Sequence, residues 1–576
     1  MQRDTTSGTT LLDRSGQLRA APLNANAKHS DPWEHMIYTI TSHIVTDRIS
    51  IHCRTHSNFD IFQEKYGVGF YSRQNIGGAS IDAATSSQCA NPYPTKSSAY
   101  LLYIIVYNLL FNPLRKFPGP TLWAISSIPY VRMCISGQSH RTILQLHQKY
   151  GPIVRIGPND LSMNHPDAMK DLRGHRKTGT GENSKDPILG QFNADNIIGA
   201  DRLNHQRFRR ALARGFSNQA MLDQEPIITA YVDTFLQRLH QECEGGAKSL
   251  DMAQWFNFTT FDIIGDLAFG ESFGCLDNRK YHPWVQLIFQ GVKEIAFLSA
   301  LARLPWLSKL LASIVPKSSS NKWAEHRDMS RDKVRRRLAL EKDRSDFVDA
   351  MIKRTQTTGI NISFEELASN ANILILAGSE TTATLLSAAL YYLTTHAETL
   401  AKLKHEVRST FAAEREIDMA SVQQLSYMLA VLDESLRLFP PVVHGTPRLI
   451  REGGDTIIGQ YIPGGATVDI WHWAVYHNPE HFAQPDDFVP ERWLGDPRFE
   501  NDAKRAMQAF SMGPRECIGK NLAYAEMRLI LARLIWNFDI RLAADSLGWE
   551  DRSESYLLWQ KGPVNVFLTP RVVEEI

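Results

Sequence analysis

The segment SFEELASNANILILAGSETTATLLSAALYYLTTH, Ser363–His396, constrains the fold of this 576-residue chain more than any other. Between Leu367 and Thr395 its only formal charge is Glu380. Ser363 followed three residues later by Glu366 forms a capping box, which marks a helix start. A helix that is apolar nearly all round has to be buried on every side, so a large helical body must surround it. The neighbouring sequence agrees. LSYMLAVLDESLRLFPP predicts a helix that stops at Pro440-Pro441, and NLAYAEMRLILARLIWNF, Asn521–Phe538, predicts another. Between them, HGTPRLIREGGDTIIGQYIPGGATVDI carries Gly, Pro and β-branched residues at strand-and-turn spacing. The expected fold class is mainly α with a small β-rich part, and a long buried central helix.

Composition narrows the function classes. With 43% hydrophobic and 22% charged residues the chain reads as a large globular protein. A formal net charge of +1 gives no footing for a nucleic-acid partner. Six scattered cysteines with no CxxC pair argue against a disulfide framework and for a reducing compartment. No repeat of 20–50 residues is found.

Residues 1–98 are rich in Ser, Thr, Asn, Gln and Ala without a sustained helical period, and read as a polar, largely disordered extension. AYLLYIIVYNLLF, Ala99–Phe111, follows. It falls short of the roughly 20 apolar residues that span a bilayer. A buried helix is one reading; a membrane anchor is the other. Tyr100, Tyr103 and Tyr107 suit an interfacial position, and Arg115 and Lys116 place positive charge on the following side. Pro118-Gly119-Pro120 then makes a stiff break. The expected organisation is a short anchor at 99–115 and a catalytic domain over 116–576.

The chemistry is concentrated in FSMGPRECIGKN, 510–521. A structural cysteine belongs inside an apolar run, yet Cys517 sits in a loop between Arg515, Gly519 and Lys520, the setting of a thiolate or a metal ligand. Phe510, Gly513, Arg515, Cys517 and Gly519 give the pattern F-x-x-G-x-R-x-C-x-G. Five fixed positions coincide by chance about once in ten million starts. A thiolate bound to haem iron needs its sulfur at the end of a tight loop. Glycines allow that close backbone approach, and nearby N–H groups stabilise the negative sulfur. The loop resembles the haem-binding loop of the cytochrome P-450 monooxygenases.

The resemblance runs from about Tyr107 to the C-terminus. AGSETT, Ala377–Thr382, is similar to the family's oxygen-activation motif, which implies proton delivery by Glu380 and Thr381; a core Glu bonded to a neighbouring helix is the structural alternative. ESLR places Glu434 and Arg437 on one helix face. With Arg492 of FVPERWL they resemble the family's structural ion-pair set. In NHQRFRRALARGFS, His205 and Arg209 match residues that reach a haem propionate, although many members carry Trp in place of His205. Arg448 of GTPRLI, Arg515 and Phe510 complete the implied cofactor-binding set. DIIGDLAFGESFGCL, Asp262–Leu276, looks like filamentous-fungal members; there Gly265 suits close packing and Cys275 reads as structural. RLIREGGD departs from them in lacking a proline at Arg451 or Glu452.

The resemblance implies haem b held by Cys517, electrons from NADPH through a flavoprotein reductase, O2, and an apolar small-molecule substrate. It implies secondary-metabolite oxidation at the endoplasmic reticulum membrane, with the catalytic domain facing the cytosol. The rival readings are a haem-thiolate enzyme of rearrangement or reduction, and a non-enzymatic haem sensor. Pocket residues are expected within 177–198 and around Val442–Gly445.

Overall fold

The computed structural model describes residues 93–572, apart from 178–180, 189–194, 305–306, 308–316, 341–343, 345 and 359–360. Nearly all of the polar extension therefore lies outside the described residues.

The central helix runs Phe364–Thr395. Its capping box is formed: Ser363 Oγ accepts from the Glu366 N–H at 3.2 Å, and the Ser363 N–H donates to Glu366 Oε2 at 2.8 Å. Glu366 is also paired with Arg207, which ties this end to the helix Arg202–Leu212. The charge-free run is explained by packing. The helix lies against Met252–Phe269, Lys317–Ala339, Ser426–Leu438 and Lys520–Asn537. Each fully buried leucine along it contributes about 1.5–3 kcal/mol. Its interior hydroxyls bond back to the preceding turn, as Ser387 Oγ does to the Ala383 carbonyl at 2.6 Å. Contact with Met252–Phe269 is close because a small residue faces it: a Cβ on Gly378 would lie 2.7 Å from Ile264 Cδ1; Gly265 instead makes room for the turn after its own helix, where a Cβ would lie 2.8 Å from the Phe273 ring.

The β-rich part is small. One five-stranded sheet has the order Ile153–Arg155, Asp160–Met163, Thr467–Asp469, Arg448–Leu449, Ser184–Lys185. Within it only Asp160–Met163 and Thr467–Asp469 pair in parallel. Asn565–Pro570 pairs with both Ser249–Asp251 and Phe538–Leu542 in a second sheet. The hairpin Asp455–Ile457/Gln460–Ile462 turns at Ile458-Gly459, both in the left-handed region. One apolar cluster surrounds the central helix and another lies on the five-stranded sheet.

The helix Tyr93–Val106 continues through one π turn to Phe111. Tyr100, Leu101, Leu102, Tyr103 and Phe111 are exposed, whereas its end enters the folded body. Asn108 donates to the Ile125 carbonyl and Asn112 to that of Pro158, and Leu114 is buried in the sheet cluster. Among the described residues the one helix long and apolar enough to cross a membrane is the central helix, and it is buried inside the protein.

Glu434, Arg437 and Arg492 meet in the interior, all fully buried. Arg437 holds both Glu434 oxygens, at 2.9 and 2.8 Å. Arg492 adds a contact at 3.3 Å, the Trp493 indole donates at 2.9 Å and the Val489 N–H at 3.1 Å. Burial pushes the Glu434 carboxyl up, but the Arg437 charge and hydrogen bond and the Arg492 charge outweigh it, and the group ends below its ordinary value. Its stabilisation is thus fully present above the ordinary carboxylate pKa and is lost as pH falls through the depressed folded value. Glu434→Gln should destabilise the protein by about 3–5 kcal/mol at neutral pH. In denaturant titrations its gap to wild type should narrow on acidification, because the wild-type carboxyl then carries no charge either.

Candidate active site

Cys517 lies three residues ahead of the helix Lys520–Asn537. The loop is closed by its own backbone: the Cys517 N–H donates to the Phe510 carbonyl at 2.9 Å and that of Glu516 to Gly513 at 3.0 Å. Gly513 is required there. It has φ +78°, and a Cβ on it would sit 2.0 Å from the Arg173 carbonyl oxygen. The Phe510 ring packs 5.3 Å from Tyr524 and the Lys520 ammonium lies over it. Protein surrounds the Cys517 sulfur closely enough to desolvate it, although the residue itself is exposed. Burial pushes its thiol up; the Gly519 N–H, Arg209 and Lys520 pull it back only in part, and Glu516 opposes them. The flanking charges alone therefore do not hold a thiolate here.

The central helix opens on one stripe. Ala377 is exposed, and Ile373 and Thr381, one turn to either side, are half-buried, as are Asn372, Leu376 and Gly378 beside them; from Thr382 to Leu393 the helix is buried throughout. Thr381 Oγ1 donates to the Ala377 carbonyl at 2.7 Å. Glu380 is buried behind it. Its Oε1 is ion-paired with Lys561 and accepts from Thr384 Oγ1 at 3.2 Å, while its Oε2 has no partner among the described residues. The core-glutamate bond is thus made, to a loop lysine and to Thr384 of its own helix.

The basic residues predicted for a propionate site divide. A cavity of about 290 Å³ is lined by His205, Arg448 and Arg515, together with Arg173 and Glu182. Arg515 donates to Glu182 Oε1 and to the Ala200 carbonyl, both at 2.9 Å. Arg448 is 4% exposed and its Nε has no partner among the described residues, and the same is true of Arg173 Nε. Burial and the charges of Arg515, Lys185, Arg209 and Arg448 push the His205 imidazole down to about 3, so the ring is neutral at physiological pH. Arg209 does not join them in this cavity. It reaches the Glu516 carbonyl and, at 3.3 Å, its carboxylate, and so braces the cysteine loop.

Sequence reading missed Arg173 and Lys561. Arg173 stands in the surface-like run KDLRGHRK, and Lys561 lies 181 residues from Glu380. Neither has a local signal. Of the expected pocket stretches, Val442–Gly445 is described, with the His444 ring 4.7 Å from Trp471; 178–180 and 189–194 of the other lie outside the described residues.

The family model for cytochrome P450 matches residues 117–566. The chain is 55% identical over 474 residues to a trichothecene C-15 hydroxylase of Fusarium sporotrichioides, covering 82% of this chain and 96% of the relative. It is 44% identical over 483 residues to the cytochrome P450 monooxygenase astJ of Aspergillus oryzae, covering 83% and 96%. It is 42% identical over 484 residues to an averantin hydroxylase of Dothistroma septosporum, covering 83% and 90%. The cysteine loop, the opened stripe of the central helix and these similarities agree: the chain belongs to the cytochrome P450 family and is an oxidoreductase of its monooxygenase class.

Proposed function

We propose that this protein hydroxylates an apolar secondary metabolite at a haem b group whose iron is ligated by Cys517, with electrons passed from NADPH by a reductase. The observation that carries the reading is the tight cysteine loop closed on its own backbone, together with a cavity of basic side chains in which the Nε atoms of Arg173 and Arg448 have no partner among the described residues. Haem fits both, through its iron and its propionates. His205, Arg448 and Arg515 would hold the propionates, with Arg209 steadying the cysteine loop and Phe510 packed beside it.

When bound, the haem supplies the oxidising power, which the thiolate ligand enhances by donating electron density. The chain's own residues do the rest. Ile373 and Ala377 give the substrate an apolar wall and keep water away. Thr381 presents a hydroxyl at the end of that wall, and the free Oε2 of Glu380 is the acid behind it. We assign proton delivery to this pair, with Lys561 and Thr384 fixing the other Glu380 oxygen.

The 55% identical relative is named as a trichothecene C-15 hydroxylase, so a trichothecene is the first substrate to test and averantin the second. Expressed with a reductase, the wild type should convert the trichothecene and show the carbon-monoxide band of a thiolate-ligated haem. Cys517→Ala should lose the band and all turnover; a variant that kept both would sink the reading. Thr381→Ala should still bind substrate but divert electrons. Hydrogen peroxide formed per NADPH should rise severalfold as product falls. An unchanged ratio would reduce Thr381 to its bond with the Ala377 carbonyl.

The exposed apolar helix that ends at Phe111 is proposed to attach the protein to the endoplasmic reticulum membrane, with the catalytic domain on the cytosolic side. Because Asn108 and Asn112 bond into the folded body, the informative deletion stops before them. Removing residues 1–105 should move the protein from the membrane pellet to the supernatant on cell fractionation. Recovery of the full-length chain in the supernatant would refute the attachment.

A further inference from the structure

Towards the start of the central helix the row of Ile373, Ala377 and Thr381 is closed, and a loop closes it. Asn370 lies two turns before Ala377 and three before Thr381, within about 20° of both around the helix axis. It is fully buried, whereas Ala377 is exposed and Thr381 half-buried. Residues 195–197 cover it. Asn370 Oδ1 accepts from the Ile197 N–H at 3.0 Å, and its Nδ2 donates to the Asp195 carbonyl at 3.3 Å. The second Nδ2 proton goes to the Glu366 carbonyl of its own helix at 2.8 Å. Two carbonyls that need donors and one N–H that needs an acceptor fix the way the amide faces. Beside it, Asn196 Nδ2 donates to Ser369 Oγ at 3.3 Å, and Asn196 Oδ1 accepts from the Ile198 N–H at 3.0 Å, which tightens the turn. At the far end of the segment Arg515 donates to the Ala200 carbonyl at 2.9 Å. Ile197 belongs to the apolar cluster around the central helix, and Ile198 packs against it. An asparagine is a poor choice for the interior of an apolar helix. Here its amide serves the loop.

We propose that Asn370 is a specificity-determining positioning residue: by fixing residues 195–198 across the row, it sets the end wall of the substrate space over Ala377 and limits how long a substrate can lie along the central helix. The inference rests on the reading of an apolar substrate beside haem given above. By helix rise, Asn370 stands about 10 Å before Ala377 and about 16 Å before Thr381.

The test uses 1-alkylimidazoles of increasing chain length, whose free ring nitrogen binds haem iron and whose chain probes the apolar space beside it. Binding to the haem-loaded full chain is read from the haem absorbance. Wild-type affinity should rise about fourfold per added CH2 until the chain meets the wall, and then stop rising. Asn370→Leu keeps the helix apolar and removes all three bonds, and Asn370→Ser is made beside it so that a folded variant is measured. In the variants the rise should continue to longer chains, so that the longest imidazoles bind about tenfold tighter than to wild type. By hydrogen exchange the peptide carrying Ile197 should lose protection while that of Met252–Phe269 keeps it. An unchanged length limit, a wild type without one, or weakening by the same factor at every chain length would overturn the proposal. Loss of protection throughout the chain in both variants would make Asn370 a structural strut and overturn it as well. If no imidazole changes the wild-type spectrum, the haem reading itself fails.

Discussion

One buried carboxylate organises the irregular half of the molecule. Glu434 anchors two guanidiniums, and these in turn satisfy five backbone carbonyls, of Tyr476, Pro485 and Asp487 through Arg437 and of Ala483 and Gln484 through Arg492. Asp502 completes the set by pairing with Arg492. These carbonyls belong to chain between Tyr476 and Asp502 that has only short helical turns to pair them. Unpaired inside the protein, each would be costly. The same stretch leads directly into the cysteine loop, so the position of Cys517 depends on a charge cluster that touches no part of the reacting centre.

The interior separates its charges. At one end of the site Arg173, Lys185, Arg448 and Arg515 gather around Glu182, with His205 kept neutral among them. At the central helix, Glu380 and Lys561 form a pair that is balanced in itself. On the same helix the row of Ile373, Ala377 and Thr381 is apolar apart from a single hydroxyl. The arrangement suits an anionic cofactor with an apolar substrate beside it. It also explains why the helix tolerates one acid: Lys561 compensates that charge, where an uncompensated one would be expelled or neutralised.

Local rules made much of this legible in the sequence. The capping box at Ser363 and Glu366 is a spacing of three residues, and the structure forms both of its bonds. Glu434 and Arg437 share a helix face for the same reason. Gly265, read as suited to close packing, does sit where a Cβ would meet the Phe273 ring. What escaped was decided by partners far along the chain. His205 and Arg209 do occupy one helix face, yet Glu516, 307 residues away, draws Arg209 out of the cavity its neighbour lines. Lys561 and Arg173 look like ordinary loop charges until the fold buries them. Spacing reveals which residues share an element, whereas the direction of a long side chain depends on what the tertiary structure brings to it.

The backbone of Arg173 can pass beside residue 513 only because that residue is glycine, and the Arg173 guanidinium reaches Ser511 across a sequence separation of 338 residues. Arg515 meets Glu182 over 333. Contacts of such high order form late, since the entropy of closing the loop must be met before they give anything back. On the ribosome, residues around Arg173 emerge long before the cysteine does, and their partners are missing throughout the synthesis of the central helix. Closure of the cavity lined by Arg173, Glu182 and Arg515 therefore waits until the cysteine loop has been made. Arrest of translation just upstream of Phe510 leaves a nearly complete polypeptide in which Arg173 and Glu182 lack their partners Ser511 and Arg515.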